Sequence, residues 1–319
     1  MEGRQAVIDL SNEHVLVTGA SGFVGGAVVR ALRNGGAQVT TIDHTAFAAP
    51  DVTSLVGDLT DPRVRDAAVT EGLTGIVHLA AVTSVLRSVE DPVGVYEANV
   101  GATSSLLELA RARGVGRFLL SSTNAVVGDV GSAKIREDTP LRPLTPYGAT
   151  KAACEMLMSA YAGSYGMTTT ALRLTNVYGP GMRHKDSLVA RLMKAARSGA
   201  TVEIYGDGTQ VRDFVHVDDV VRGLLLAWER RWVGPLIIGA GRSVTVLEVF
   251  DAARRITGQP IPATHVPAKA GEMPAVVVDI GRARGLGYEP AVTLESGIAS
   301  AWADFNSDPE PSVPATARQ

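Results

Sequence analysis

The sequence predicts an α/β protein of the Rossmann type: a doubly wound parallel sheet with a smaller, mixed C-terminal substrate-binding domain. Apolar, β-branched runs without polar alternation recur along the chain, as in strands buried on both faces. Helical patterns separate these runs. The first run leads directly into the glycine-rich turn 19–25, after which a helical pattern begins. Strand, glycine turn and helix in this order form a phosphate-binding unit.

The first half of the chain alternates strands and helices. Strands are predicted over 14–18, 38–42, 55–59, 75–81 and 118–123, and helices over 26–34, from 62, and as one continuous element over 92–113. Asp43 ends the second strand, where a carboxylate can accept hydrogen bonds from ribose hydroxyls and would repel a 2′-phosphate. NAD is therefore favoured over NADP. Asp58, after the third strand, can meet the adenine amino group.

Three residues are expected to converge at the carboxyl edge of the sheet. Tyr147 and Lys151 are four residues apart in a helix that Pro146 would begin, and so share one face. A neighbouring ammonium lowers the pKa of a phenol, which makes Tyr147 a candidate proton acceptor. Thr123 ends the strand 118–123, and ligands gather at such ends. His78, inside an apolar strand, is interpreted as a core residue.

The second half is less regular. A strand is predicted over 169–174, helices over 187–198 and 244–257, a further strand over 235–238, a rim loop over 129–144 and an irregular segment over 262–274. Arg183, Lys185 and Arg212 lie beyond strand ends, where cations can bind anions. The predicted division is a NAD-binding domain over 12–175, completed by 213–241, a substrate-binding domain over 176–212 and 242–305, and a disordered tail over 306–319.

Composition excludes several functional classes. Of 319 residues, 45 % are hydrophobic and 20 % charged, and the net charge of −3 gives no reason to expect a nucleic acid or an anionic membrane as partner. No apolar run approaches membrane-spanning length and no signal-peptide pattern is present, so a cytoplasmic protein is expected. The single cysteine, Cys154, cannot form an intrachain disulfide, and no metal-ligand spacing occurs.

With these residues together, the chain resembles the extended short-chain dehydrogenase/reductases, specifically the NAD-dependent nucleotide-sugar epimerase/dehydratase family. The resemblance covers about residues 14–302 and rests on ordered motifs. They are Thr-Gly-x-x-Gly-x-x-Gly at 18–25, Asp43, Gly-Asp-Leu at 57–59, His-Leu-Ala-Ala at 78–81, Asn-Val at 99–100, Ser-Ser-Thr at 121–123, Tyr-x-x-x-Lys at 147–151, Asn-Val-Tyr-Gly-Pro at 176–180 and the segment 212–219.

The resemblance implies a role for each matched residue. The implied NAD contacts are Gly19, Gly22, Phe23, Val24, Asp43, Asp58, Leu59, Ala80 and Lys151. The implied catalytic residues are Thr123, Tyr147 and Lys151, with Tyr147 as general base and acid. Substrate contacts are expected at Thr83, Thr123, Tyr147, Asn176, Arg183, Tyr205, Arg212 and Lys269. Asn99 matches a motif position but is interpreted as structural, and no metal is implied.

The implied reaction is epimerisation of a nucleotide sugar at C4, by transient oxidation, rotation of the keto-sugar and reduction on its other face. The chain departs from the family pattern at several positions, among them the two residues after Thr123, Val127 in place of a usual Tyr, and Lys269. Dehydratases have an Asp-Glu pair after the position of Thr123, where this chain has Asn124 and Ala125, which disfavours elimination. Lys269 occupies a position where an arginine commonly binds the phosphates, and a lysine cannot form the bidentate hydrogen bonds that an arginine forms.

Other interpretations remain open at this stage. A 4-ketoreductase or a uronate-processing enzyme is a close alternative, because Arg183 and Lys185 could receive a C6 carboxylate. A UDP-hexose and a UDP-uronic acid are both candidate substrates. A non-catalytic NAD-binding sensor would need the glycine turn but not the catalytic residues. Relatives pair through the helix 92–113 and the Tyr147 helix, so a homodimer is expected by analogy.

Overall fold

The computed structural model describes residues 8–131, 133–267 and 275–307. Its strands are β1 His14–Thr18, β2 Gln38–Asp43, β3 Val52–Val56, β4 Gly75–His78, β5 Arg117–Thr123, β6 Lys134–Ile135, β7 Thr168–Leu174, β8 Asn176–Tyr178, β9 Val202–Tyr205, β10 Val211–His216, β11 Gly234–Ile238, β12 Ser243–Thr245, β13 Ala263–Val266 and β14 Val277–Val278. Its helices are α1 Phe23–Asn34, α2 Pro62–Ala68, α3 Val85–Glu90, α4 Pro92–Tyr96, α5 Ala102–Ala112, α6 Pro146–Tyr165, α7 Leu188–Ser198, α8 Val217–Glu229, α9 Val246–Thr257, α10 Gly281–Gly285 and α11 Leu294–Asn306.

Seven parallel strands form the central sheet, in the order β11-β7-β5-β4-β1-β2-β3. Helices cover both of its faces, and successive residues of one strand enter different cores. In β1, Val15 and Val17 belong to the core shared with α1 and α8, and Leu16 to the core shared with α5 and α6. Because both faces are buried, the strands lack polar alternation. The predicted Rossmann-type fold is confirmed.

The remaining strands form three small sheets beside the central one. β10 pairs with β8 in parallel and with β12 in antiparallel orientation, while β9 pairs with β13 and β6 with β14. Helices α7, α9 and α11 contact one another beside these sheets. β10 thus lies outside the central sheet, whereas β11 returns to its edge next to β7.

The helix predicted over 92–113 is interrupted. A π-helical turn, Glu97–Gly101, separates α4 from α5. Within that turn, the Asn99 side chain accepts a hydrogen bond from the Val82 backbone N–H (2.8 Å) and donates to the Thr150 hydroxyl (3.1 Å). These contacts hold the turn against the loop after β4 and against α6. Sequence periodicity does not reveal the extra residue of such a turn.

Two predicted irregular segments contain short strands. The rim loop 129–144 includes β6, and Glu137 beside it is buried, with its carboxylate accepting a hydrogen bond from the Ile237 N–H at 3.0 Å. The segment 262–274 includes β13, and its residues 268–274 lie outside the described residues, as do residues 308–319 of the predicted tail. Strands of two to four residues carry too little pattern to be recognised. In the described residues, no helix has the length and apolarity needed to span a membrane.

Candidate active site

A cavity of about 600 Å³, the main cavity, opens at the carboxyl ends of the central strands. It brings together most of the residues that the sequence singled out. Its lining includes Gly19, Gly22, Phe23, Val24, Asp43, Asp58, Leu59 and Ala80 of the predicted cofactor contacts, and Thr83, Thr123, Tyr147 and Asn176 of the predicted substrate contacts. Strand ends that are distant in sequence thus meet at one edge of the sheet, where α/β folds bind ligands.

The glycine-rich turn is shaped for close backbone approach. Gly19 has a φ of +71°, and a Cβ there would lie 2.6 Å from the backbone nitrogen of Ala80. Helix α1 follows at Phe23, and its N-cap residue, Gly22, supplies no side-chain hydrogen bond. The first-turn N–H groups are therefore left to an anion such as a pyrophosphate.

Two carboxylates line the main cavity beside β2 and β3, toward one edge of the sheet and away from Thr123 of β5. Asp43 accepts hydrogen bonds from the backbone N–H groups of Ser21 (2.9 Å) and His44 (2.6 Å), which ties the end of β2 to the glycine turn. Each oxygen keeps a lone pair for a ribose hydroxyl. Asp58 accepts from the backbone N–H and the hydroxyl of Thr60, and these bonds lower its pKa. This end of the cavity fits the adenosine half of a dinucleotide.

The other end of the site is built from α6 and β5. Thr145 caps α6 by accepting a hydrogen bond from the Gly148 N–H, and Pro146 occupies its first turn. Tyr147 lines the main cavity together with Thr123, while Lys151 lies one turn deeper, with only 2 % of its surface exposed. Of the three residues predicted to converge, Thr123 and Tyr147 meet at the main cavity, whereas Lys151 is absent from the lining of that cavity.

The structure corrects the pKa that the sequence predicted for the Tyr147 phenol. Burial raises this pKa to about 12, and the neighbouring Thr123 hydroxyl offsets only part of the shift. Burial also lowers the pKa of Lys151 to about 8, against the opposing effect of Cys154 and Glu155. Lys151 therefore does not by itself make Tyr147 a phenolate at neutral pH. The sequence prediction considered the pair of charges and not the cost of removing them from water.

A second cavity of about 290 Å³, the side cavity, adjoins the main one and shares Asn176, Val177 and Ser187 with it. The predicted substrate residues Tyr205 and Arg212 line this cavity. Sequence analysis missed further lining residues, among them Arg191 of α7, Glu203 of β9 and Gln210. Their shared signal is position, because Arg191 lies within the predicted helix 187–198, and Glu203 and Gln210 flank the Gly206-Asp207-Gly208 turn.

The cationic residues of the segment 183–185 lie in different surroundings. Arg183 is absent from the lining of both cavities; its guanidinium instead pairs with the Asp304 carboxylate (3.5 Å) and donates to the Ser307 carbonyl (3.0 Å). Its predicted contact with substrate is therefore not supported. Lys185 does line the main cavity, and burial lowers its pKa. Lys269 lies outside the described residues.

His78 and Asn99 serve the fold. The His78 ring lies 2.7 Å from the Thr18 hydroxyl and 3.1 Å from the Thr103 hydroxyl, is 1 % exposed, and has its pKa lowered by burial to about 3. It is a neutral core residue, as interpreted from the sequence. Cys154 is buried and free. No group of three or more potential metal ligands occurs among the residues that the structure describes.

A Rossmann sheet with a glycine turn, a carboxylate at the end of its second strand, and a tyrosine at the cavity with a buried lysine one helical turn behind it indicates the class of dinucleotide-dependent enzymes that act on hydroxyl groups. The chain belongs to the NAD-dependent epimerase/dehydratase family, whose model matches residues 15–238. Membership confirms the family inferred from the motifs and NAD as the cofactor.

Known relatives include both epimerases and dehydratases. A UDP-glucose 4-epimerase of Corynebacterium glutamicum is 32 % identical, with the match covering 91 % of this chain and 94 % of that protein. A dTDP-glucose 4,6-dehydratase of Streptomyces griseus is 35 % identical over 95 % of this chain and 98 % of that protein. The structure of MoeE5 in complex with UDP-glucuronic acid and NAD is 36 % identical, with a TM-score of 0.84 and coverage of 91 % of this chain and 98 % of that one.

Proposed function

We propose that the protein is a nucleotide-sugar 4-epimerase that acts on a UDP-hexose or a UDP-uronic acid. The observation that carries the proposal is the sharing of one cavity by Tyr147, Thr123 and the glycine-rich turn, with Lys151 buried behind them. A sugar hydroxyl placed between Thr123 and Tyr147 can therefore lie beside a cofactor held by that turn. A sensor that only bound NAD would not need this arrangement.

The residues have the following proposed roles. Thr123 hydrogen-bonds the C4 hydroxyl, and Tyr147 accepts its proton and later returns it. NAD, held by the glycine-rich turn and Asp43, would supply hydride acceptance and donation and a positive charge when bound. The ammonium of Lys151, while it remains protonated, is a positive charge that favours the deprotonated phenol of Tyr147. No net redox change results from a complete cycle.

Epimerisation is favoured over dehydration because the carboxylates of the main cavity lie away from Thr123 and Tyr147. Elimination of water needs an acid for the leaving hydroxyl as well as a base. Asp43 and Asp58 are the carboxylates among the described residues that line the main cavity, and both serve the opposite end. Beside Thr123, Asn124 is buried and donates to the Leu174 carbonyl at 3.4 Å. It supplies an amide where a dehydratase would need an acid.

The side cavity is the proposed site of the nucleoside diphosphate. Asn176 lies where the two cavities join, and Arg212 and Tyr205 line the side cavity beyond it. A guanidinium suits a pyrophosphate, because it presents several donors in a fixed plane. The sugar would then project from the shared wall into the main cavity, toward Thr123 and Tyr147.

A uronic acid is a specific alternative to a neutral hexose. Lys185 lines the main cavity, has its pKa lowered by burial, and forms no ion pair with any of the described residues. A substrate carboxylate paired with this ammonium would offset the free-energy cost of burying its charge. The solved structure of the relative MoeE5 is a complex with UDP-glucuronic acid and NAD, which is consistent with that substrate class. A 4-ketoreductase remains the other alternative.

The proposal includes a homodimer. Helices α3, α4 and α6 present a group of exposed apolar side chains, here called the apolar helix face: Val85, Leu86, Val89, Val93, Tyr96 and Met156. Each of these six residues is between 44 % and 68 % exposed. Exposed apolar side chains on helices that contact one another are typical of a protein interface, and a second copy of the chain would cover them.

The deciding experiment uses the purified protein as isolated, with UDP-glucose, UDP-galactose, UDP-glucuronic acid and dTDP-glucose. Products are separated by chromatography while the absorbance of reduced nicotinamide is followed. The expected result is an isomeric UDP-sugar formed without added cofactor. Loss of water from the product would mean a dehydratase, and oxidation of added NADH on a keto-sugar would mean a reductase.

A further inference from the structure

The face of α6 that carries Tyr147 and Lys151 continues to Glu155, a further turn along the helix. Glu155 is 8 % exposed, and its carboxylate is held by two strands. The Ser122 hydroxyl of β5 donates to Oε1 at 2.5 Å, while Arg173 of β7 donates from Nε to Oε1 at 3.0 Å and from Nη2 to Oε2 at 2.7 Å. Ser122 is the residue immediately before Thr123.

The Arg173 guanidinium is itself fixed from another side. Its Nη1 donates to the Glu137 carbonyl at 3.2 Å, and Glu137 in turn accepts from the Ile237 N–H of β11 at 3.0 Å. Arg173 is 2 % exposed and Ser122 is 4 % exposed. Each charged member of this buried network is thus held by hydrogen bonds from more than one element. The network therefore defines the position of Glu155 against β5 and β7.

We propose that Glu155 is a positioning residue, which fixes α6 against β5 so that Tyr147 and Lys151 face Thr123. The inference rests on the proposed roles of these three residues. It follows from connectivity, since a single carboxylate joins the catalytic helix to the residue next to Thr123. Reaction rates are sensitive to such placement, because a displacement of about 1 Å can cost about 100-fold in rate.

The charge of Glu155 has a second consequence. The groups that surround Lys151 are His78 on β4 and Cys154 and Glu155 on α6, with Arg173 on β7 behind Glu155. The pKa of His78 is lowered and that of Cys154 is raised, both by burial, so these two are neutral near pH 7. Of the neighbours named, Glu155 carries the negative charge that favours protonated Lys151.

The kinetic test compares three variants with the wild type on the UDP-sugar that the panel identifies. Glu155→Gln should lower kcat by about 10- to 100-fold and change KM by less than about threefold, because binding groups are untouched. Ser122→Ala removes one hydrogen bond, and a decrease of about three- to tenfold in kcat is expected. The control is Thr169→Val, since Thr169 on β7 bonds the Met158 carbonyl of the same helix (2.9 Å), far from Tyr147. Its kcat should be unchanged.

A second readout needs no sugar. The phenolate absorbance of the NAD-loaded protein is titrated with pH, and the Tyr147 contribution is the difference from the matching Tyr147→Phe protein. In Glu155→Gln, the midpoint of the Tyr147 titration should differ from that of the wild type by about 0.5 or more, because displacement of α6 changes the distances from the phenol to Thr123 and Lys151. Thr169→Val should not shift it. A shift in this titration supports the inference even where the panel shows no turnover, an outcome that would overturn only the proposed function.

Equal losses of kcat in the Glu155, Ser122 and Thr169 variants would overturn the inference, because they would report general loosening of α6. An unshifted Tyr147 titration together with an unchanged kcat in Glu155→Gln would overturn it as well. Where Glu155→Gln does not fold, Ser122→Ala decides: a lower kcat with an unchanged melting temperature supports the inference, and an unchanged kcat overturns it.

Discussion

At the scale of single residues, Tyr147 is the group on which the proposed chemistry depends. Its phenol lines the cavity, and burial raises its pKa to about 12. Such a phenol is a poor base until a positive charge lies next to it. The residue thus suits a reaction in which deprotonation waits for the oxidised cofactor to be in place.

Replacing Tyr147 by Phe should lower kcat by about 100- to 10,000-fold, because a positioned general base contributes an effect of that size. NAD content should be unchanged, since Tyr147 lies at the opposite end of the cavity from Asp43. Steady-state kinetics and chromatographic measurement of bound NAD check both expectations. A variant that retained most of its activity would exclude Tyr147 as the base.

His78 gives a prediction for stability against pH. The folded-state pKa of about 3 lies below the ordinary value of 6.5, so the unfolded chain binds more protons between these values. Stability from this group is complete above pH 6.5 and is lost as the pH falls toward 3. Between pH 7 and pH 5 the loss should be about 2 kcal/mol.

Urea unfolding of the wild type and of His78→Gln at both pH values measures this contribution. The variant should be less stable at pH 7 but should lose less stability on acidification. His14, whose pKa is also lowered by burial, remains in both proteins, and its contribution cancels in the comparison. Identical pH dependence in the two proteins would contradict a neutral, buried His78.

At the scale of elements, the glycine turn and α1 act as one unit. A Cβ on Gly25, in the first turn of α1, would overlap the carbonyl oxygen of Gly19. Neither group is a flexible side chain, so the turn would have to open. The glycines of this motif are therefore required by packing within the turn, in addition to any cofactor approach.

Gly25→Ala should abolish retention of NAD through purification and lower the melting temperature. Gly163→Ala is the matched control: Gly163 also lies in a helix, α6, but a Cβ there meets no atom within 4 Å. That change should be neutral or stabilise by up to about 1 kcal/mol, from helix propensity. Bound NAD and thermal unfolding, measured side by side, separate the two glycines.

At the scale of the whole molecule, the apolar helix face predicts assembly. Val93→Asp places a charge on a valine of this surface that is 67 % exposed, and it should shift the protein from dimer to monomer. Val233→Asp is the control, because Val233 is 51 % exposed ahead of β11, outside that face. Sedimentation velocity at micromolar concentration measures both. A wild-type protein that sediments as a monomer would remove the dimer from the proposal.

The sequence by itself determined the Rossmann sheet, the family, the cofactor and the main-cavity residues. These features follow from local sequence patterns. A buried strand followed by a glycine turn, or a Tyr and a Lys one helical turn apart, can be recognised within a few residues. The π-helical turn at Asn99 interrupts the predicted helix 92–113 but does not change where that helix lies.

Only the tertiary structure decided the pKa of Tyr147, the partner of Arg183 and the network around Glu155. Arg183 bonds Asp304, which is 121 residues away, and Glu137 bonds Ile237, which is 100 residues away. Burial and long-range contacts set these properties, and neither has a signature in local sequence. Charge spacing could place Lys151 beside Tyr147, but the free energy of removing both groups from water depends on every element packed around them.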